Sequence, residues 1–480
     1  MSKLAKNFIY NIIYQVLILI LPLISAPYIS RILGAEGIGT YSYTYSIVSY
    51  FVMFAMLGIN NYGNRLIAQT RDDKEKLSIN FWSLYILEFI ITAIVLIAYI
   101  IFITFIIKED KLMYILQFGY ILSSFFDINW FFFGIEEFKI TVTRNTIIKI
   151  LSFVLLFIFV KTKSDIYIYT IILVISNFIS NIVLWPFIFK RIKKVKISFK
   201  DIFKHLKPCI ILFIPVIAVS LYKKMDKIML GIMSTKLEVG FYENAEKIIS
   251  IPLAIITALG TVMLPRMSNI IANGDEKKFK EYISKSMEFI IFLASPIVLG
   301  LISIAKEFAP VYFGNEFYKT GYLIEISSIT ILFISWANVI RTQYLIPKER
   351  DKEYINSVIM GAIVNLISNL LLIPKFNSIG ASIGTVLAEF TVMFIQTISI
   401  KKYLPIQEYV KNNYKFLVKA IIMFCVLYHL NFVNMNKIIN MILQIGVGII
   451  IYSILNYRYI FKLINFDKIF INRRKDDKVQ

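Results

Sequence analysis

The chain has 480 residues, 58% of them apolar and 17% charged, with 40 Phe, a mean hydropathy of +0.70 and a formal net charge of +21. Its apolar residues gather in runs of roughly 17 to 25, the length needed to cross a ~30 Å hydrocarbon core, which excludes a soluble domain and defines an all-α polytopic membrane protein. The basic residues fall mostly in short loops between these runs, the pattern of topology signals and of contact with anionic membrane lipids rather than of a nucleic-acid-binding face.

In chain order, the first run, 8–31, follows Lys3 and Lys6, contains Pro22 and Pro27, and is too long and too interrupted for a signal peptide. Further spans are expected at 41–64, 79–107, 112–134, 142–160, 166–189, 207–231, 241–265, 282–305, 320–346, 355–373, 378–400, 416–433 and 438–456, fourteen in all. The fourth is polar for a span, holding Gln117, Asp127 and Asn129. With both termini cytoplasmic, 36 Lys and Arg, Arg65 and Arg144 among them, lie on the inner side, against 10 on the outer side. The remaining 6, Lys149, Lys223, Lys224, Lys227, Lys247 and Arg341, lie within spans. A count wrong by one helix would scramble that alternation.

An internal repeat is visible. Leu33-Gly34, Glu36 and Gly39-Thr40-Tyr41 match Leu230-Gly231, Glu238 and Gly240-Phe241-Tyr242: a span end, a short outer turn, then Gly-x-Tyr opening the next span. The span before each copy carries two prolines, Pro22 and Pro27 in one, Pro208 and Pro215 in the other, which favour bent or broken helices. Each copy holds six spans, so both enter the membrane from the same side, in parallel about an axis along the membrane normal, as two lobes of a transporter with substrate between them. The expected organisation is an N-terminal lobe at 1–190, a basic cytoplasmic linker at 191–206, a C-terminal lobe at 207–402, a two-span appendage at 403–457 and a basic cytoplasmic tail at 458–480. From Ser198 the linker is spaced to form an interfacial amphipathic helix.

Charges at hydrocarbon depth are expensive and are kept for pathways, substrates or ions. Lys223, Lys224, Asp226 and Lys227 sit towards the end of the seventh run, and Glu243, Glu246 and Lys247 open the eighth. Lys223 and Lys227 share a helix face with Asp226 close by, and Glu243 and Lys247 are four apart, so local neutralisation is one reading. The other is a cationic cavity: three lysines against one aspartate leave a positive surplus, with Arg31, Arg65, Lys149 and Arg341 elsewhere. Such a cavity suits phosphate or a carboxylated sugar and opposes a cationic drug. Asp127 with Asn129 reads as a proton or sodium station or as a packing pair, and Asn365 and Asn369 as interhelical hydrogen-bond partners. Cys209 and Cys425 lack metal or redox spacing, His205 and His429 have no partners for a metal site, and the loops carry no nucleotide or metal motif, so neither a cofactor nor an enzyme is expected.

The ordered set Pro27-Tyr28-Ile29-Ser30-Arg31-Ile32-Leu33-Gly34 with Asn64-Arg65, Asp226-Lys227-Ile228-Met229-Leu230-Gly231 with Gly240-Phe241-Tyr242, and Ile373-Pro374-Lys375-Phe376 with Gly380 to Thr385 and Glu389 resembles the Wzx polysaccharide-biosynthesis or O-antigen flippases of the multidrug, oligosaccharidyl-lipid and polysaccharide (MOP) exporter superfamily. The resemblance covers about residues 1–400. It implies a MATE-like fold that flips an undecaprenyl-pyrophosphate-linked oligosaccharide across a bacterial inner membrane for O-antigen, lipopolysaccharide or capsule synthesis. Alternating access, a coupling H+ or Na+, and polymerase and chain-length-regulator partners are implied with it. Arg31 and Asp226 match recurrent family positions. On this reading Arg31, Arg65, Lys149, Lys223, Lys224, Lys227, Lys247 and Arg341 handle substrate, and Asp127, Asp226 and Glu243 couple the ion. Two relatives of the same superfamily are rival readings. A lipid II flippase is expected to carry an arginine-rich first helix, whereas 8–30 has no charge; a drug or cation antiporter is expected to have an acidic cavity.

Overall fold

At hydrocarbon depth every backbone N–H and C=O must find its partner within the protein, which restricts apolar runs of this length to helix. The computed structural model describes residues 3–430 and 436–463, with side chains from residue 20 onward except at 215, 218, 219 and 221–223. The described residues form helices and no strand. The side chain of Lys223 and the tail beyond residue 463 lie outside them. The chain divides into two compact units, Met1–Asn244 with Asn369–Ala381, and Ala245–Ser368 with Ser382–Gln480.

The first unit begins with α1 (Lys3–Met56), two helices merged across a break at Gly34, whose φ of 70° is left-handed. A second break, at Leu57 and Gly58 with φ of 37° and 73°, turns the chain into α2 (Ile59–Thr70). Gly58 has no room for more than hydrogen, because a Cβ there would lie 2.6 Å from the Cys209 carbonyl oxygen. Asp73 then caps α3 (Lys74–Ile101) by accepting from the backbone N–H groups of Glu75 and Lys76, both at 3.1 Å. Those bonds, the one from Lys76 foremost, hold its carboxyl below the usual carboxylate range. α4 (Lys111–Ser124) and α5 (Asn129–Gly134) are halves of the polar fourth run, and α6 (Phe138–Phe159), α7 (Ile166–Ile182) and α8 (Trp185–Ile188) follow. The linker forms a single short turn of helix, α9 (Phe199–Phe203), closed by a Ser198–Asp201 capping box. α10 (Leu206–Met233), the start of α11 (Lys236–Ala272) and, from further along the chain, Asn369–Ala381 complete the unit.

Two aspects of the first unit mark a lipid-embedded protein. Its interior holds Trp130, Phe81 and Phe131, all fully buried, while Ile94, Ile97 and Phe105 on the outside are 62%, 59% and 78% exposed. Hydrocarbon gives helices no hydrophobic reason to associate, so close backbone approach and interhelical hydrogen bonds carry the packing. Gly39 and Gly240 supply the approach: a Cβ on Gly39 would lie 1.6 Å from the Lys236 carbonyl oxygen, and one on Gly240 would lie 1.9 Å from that of Ala35. The outer turns read from the repeat are accordingly shorter than expected. The breaks fall at Gly34 and at Ser234–Thr235, and the Gly-x-Tyr segments are already helical, because these glycines serve a helix crossing rather than a turn.

In the second unit the rest of α11 is followed by α12 (Glu276–Phe313), α13 (Tyr318–Ser328), α14 (Thr330–Ile340), α15 (Asp351–Phe376) as far as Ser368, α16 (Ser378–Ile400) from Ser382, α17 (Ile406–His429) and α18 (Lys437–Leu455). The long α12 packs against α13, α14, α17 and α18, and a π-helical turn, Arg341–Leu345, extends α14. Between α12, α17 and α18 runs an apolar groove of about 390 Å³, lined by Leu293, Ile297, Gly300, Met423 and Ile449. The expected spans fall largely on helix, with 41–64 broken at Leu57–Gly58, 112–134 broken between α4 and α5, and 431–433 outside the described residues; ten helical stretches among the described residues are long and apolar enough to cross a membrane.

Candidate functional site

The charged end of α10 is built around Asp226, buried at 3% exposure. Its Oδ2 accepts from the Tyr242 hydroxyl on α11 at 2.7 Å, and its Oδ1 from the Asn369 side-chain amide on α15 at 2.6 Å. Asn369 thus makes an interhelical hydrogen bond of the kind its sequence position predicts. One residue on, Lys227 pairs across to Glu243 on α11 at 2.7 Å, and Ser42 on α1 donates to the same carboxylate oxygen at 2.6 Å. Both side chains of the pair are largely buried, 14% and 18% exposed. α10 and α11 are therefore tied by two ionic hydrogen-bond systems a residue apart.

Further down α10, Lys224 lines a cavity of about 320 Å³ within the first unit, together with Tyr45, Asn60, Asn61, Tyr120 and Asn177. Tyr45 and Tyr120 meet edge to face with ring centres 5.1 Å apart, and the Tyr120 hydroxyl is 2.9 Å from that of Tyr41. Tyr50 donates to the Ser220 carbonyl at 3.1 Å, holding α1 against α10 beside the cavity. A cation, amides and aromatic faces in one recess can hold an anionic group and stack on a sugar ring.

Asp127 belongs to another cluster. In the break between α4 and α5 its Oδ1 accepts from the Asn129 backbone at 3.0 Å and side chain at 2.6 Å. The Asn129 side-chain Oδ1 accepts from Arg144 at 2.8 Å, and Arg144 also donates to the Ser180 backbone carbonyl at 2.5 Å. Arg144, counted with the inner loop in the charge tally, is instead buried inside α6 at 6% exposure, a long side chain turned inward to bridge the broken fourth run to α7. Nearby, Glu88 is fully buried and accepts from the Trp130 indole at 2.9 Å.

The other sequence-predicted residues are dispersed. Arg31 and Arg65 are exposed on α1 and α2, and Lys149 is half-buried on α6. Lys247 and Arg341 belong to the second unit, where Arg341 donates to Asn338 at 2.7 Å. Sequence reasoning missed Tyr242 as the partner of Asp226, although its place in the repeated Gly-x-Tyr marked it. It also missed His205 as a structural group. The His205 ring lies 2.9 Å from the Tyr62 hydroxyl and 3.1 Å from that of Ser83, joining the linker to α2 and α3. Among the described residues no group of three His, Cys, Asp or Glu is placed to hold a metal ion.

Long helices with apolar faces outward and buried charged groups held by hydrogen bonds between helices are those of a polytopic membrane protein. The chain belongs to the polysaccharide biosynthesis protein family, whose model matches residues 4–271. It is 25% identical over 404 residues to the putative O-antigen transporter of Escherichia coli strain K12, covering 83% of this chain and 97% of that protein. It is also 25% identical over 243 residues to the probable low-salt glycan biosynthesis flippase Agl15 of Haloferax volcanii, half of each chain. Its fold is that of the lipid II flippase MurJ, with a TM-score of 0.73 at 18% identity over 96% of this chain and all of that one.

Proposed function

We infer that the protein flips a lipid-linked oligosaccharide, joined to its polyprenyl carrier through pyrophosphate, from the inner to the outer leaflet of a bacterial plasma membrane for surface polysaccharide synthesis. The observation that carries this reading is Lys224 in a recess walled by Tyr45 and Tyr120 and floored by amides, a cationic and sugar-compatible site amid apolar helices. The apolar lining of the groove along α12 suits a hydrocarbon carrier chain in chemistry, and the full-length relative is a putative O-antigen transporter. Fourteen spans with both termini cytoplasmic, and alternating access between two lobes, complete the proposal. They are supported by helix over most of the expected runs and by the bias of Lys and Arg towards one side.

Asp226 is the proposed coupling site. A carboxylate inside a span, positioned by a hydroxyl and an amide from two other helices, can exchange a proton or a sodium ion with only local rearrangement. The test is a strain lacking the protein, complemented with wild type, Lys224→Ala or Asp226→Asn at matched protein levels. Wild type should restore surface glycan, and the variants should leave lipid-linked oligosaccharide on the inner leaflet. Full glycan output from both variants would remove Lys224 and Asp226 from the mechanism, and failure of wild type to restore it would remove the function.

A further inference from the structure

A second charged cavity, in the other unit, is left without a role by that mechanism. Where the π-helical turn Arg341–Leu345 ends and α15 begins, the chain encloses a cavity of about 600 Å³ against the start of α12 and the loop after α16. Lys280, Lys348, Arg350 and Lys402 line it, with Glu276 as the single carboxylate among the lining residues and Tyr403 on the wall.

That one carboxylate is already shared: Glu276 pairs with Lys348 at 3.1 Å and meets Lys280 at 3.9 Å. The neighbouring Lys348 ammonium holds the Glu276 carboxyl below its usual range, so it stays ionised, yet the cations still outnumber it. Arg350 is oriented from two sides, by Glu353 at 2.8 Å and by the Tyr403 ring 4.6 Å beneath its guanidinium. A tight turn sets Lys348 and Arg350 apart on the same recess: Glu349 between them is left-handed, with φ of 55°, and the Arg350 N–H returns to the Leu345 carbonyl at 2.8 Å. On the sidedness proposed above, the cavity lies at helix ends that face the cytoplasm, the side on which the phosphate head groups of the inner leaflet are found.

We propose that this cavity binds a phosphate-bearing lipid head group from the inner leaflet, with Arg350 and Lys348 as oriented hydrogen-bond donors to the anion and Lys280 and Lys402 as flanking charges. An ionised phosphate supplies acceptor oxygens to a planar guanidinium and to point-charge ammonium groups at once, which a carboxylated sugar does less completely. The head group has two sources, bulk anionic phospholipid and the pyrophosphate of a lipid-linked precursor. The site stands whether or not the protein flips that precursor, because its test reads binding and not transport.

The full chain, purified in neutral detergent, is titrated with inorganic pyrophosphate, and its lipid retention is read by native mass spectrometry from vesicles of equal phosphatidylglycerol and phosphatidylcholine. Lys348→Gln/Lys402→Gln should weaken pyrophosphate binding roughly 5-fold or more, or abolish selective retention of phosphatidylglycerol, while Glu276→Gln should tighten binding about 2- to 3-fold by removing the competing charge. Lys402→Gln alone, at an exposed position, carries the test if the double variant elutes as misfolded protein. Pyrophosphate binding lost without a change in phosphatidylglycerol identifies the precursor head group, and the reverse identifies bulk phospholipid; both support the site. Identical binding and retention in wild type and all variants overturns it.

Discussion

Gly39 on α1 and Gly240 on α11, equivalent positions of the internal repeat, lie against one another's helices: a Cβ on Gly39 would come within 2.8 Å of the Gly240 nitrogen. The repeat thus places its two glycines at one crossing, where each needs the other helix's backbone where a side chain would be. Gly39→Ala or Gly240→Ala is expected to destabilise the fold by about 2 kcal/mol or more, since the obstructing atoms are backbone and cannot rotate away. Thermal melting of the detergent-solubilised protein checks this; a midpoint within a degree of wild type would mean that the crossing relaxes freely.

Tyr242→Phe removes the hydroxyl that Asp226 accepts from while preserving ring packing. A lost hydrogen bond to a charged group costs about 1.5–3 kcal/mol. The variant should fold with reduced stability and show an altered response of glycan export to pH or to sodium. Export that keeps its wild-type ion dependence would separate Tyr242 from coupling.

For the Lys227–Glu243 pair, largely buried and 2.7 Å apart, each single neutralisation leaves the other charge at depth. Lys227→Met and Glu243→Gln should each destabilise by roughly 1–3 kcal/mol, and the double variant by less than the sum. Additive losses in a double-mutant cycle would show that the pair contributes no coupling.

His205 is 1% exposed, and burial pushes its imidazole down to about 4 from an ordinary value near 6.5. The folded ring is therefore neutral where the unfolded one is charged. Its contribution is complete above about pH 6.5 and is lost as pH falls towards 4. Protection factors of the amides in α9 and the start of α10, taken against the intrinsic exchange rate at each pH, should fall across that window in wild type and stay level in His205→Gln. Protection factors independent of pH in wild type would exclude the imidazole as the latch between linker and α2.

Ser198→Ala removes one half of the capping box of α9, at an expected cost of about 1 kcal/mol to that turn of helix. Faster proteolysis confined to 190–205, with an unchanged global melt, is the expected result. A drop in the global midpoint instead would show that the linker helix supports the fold as a whole.

Much of this was legible in residue order. Asp226 is conspicuous because a carboxylate inside an apolar run is costly wherever the helix packs, and Ser198 announces a helix start because its capping partner Asp201 is three residues away. The partners of Asp226 were not legible: Tyr242 and Asn369 lie 16 and 143 residues along the chain, and helix packing alone selects them. Arg144 shows the opposite failure. Its position near a loop reads as inner-side charge, but a guanidinium is long enough to turn inward and satisfy Asn129 and the Ser180 carbonyl.

By itself, then, the sequence determined what depends on local chemistry: membrane-length helices, the repeat with its glycines, and the presence of ionisable groups within apolar runs. Only the tertiary structure decided which charges meet. It sent Lys227 to Glu243 and Asp226 to Tyr242 and Asn369, set Lys224 in an aromatic recess, and gathered Lys280, Lys348, Arg350 and Lys402 on another. The physical reason is range. Hydropathy and capping act within a few residues of chain, whereas salt bridges and cavities form between helices whose facing residues are chosen by packing, and a helix's sequence does not carry its neighbour's rotation.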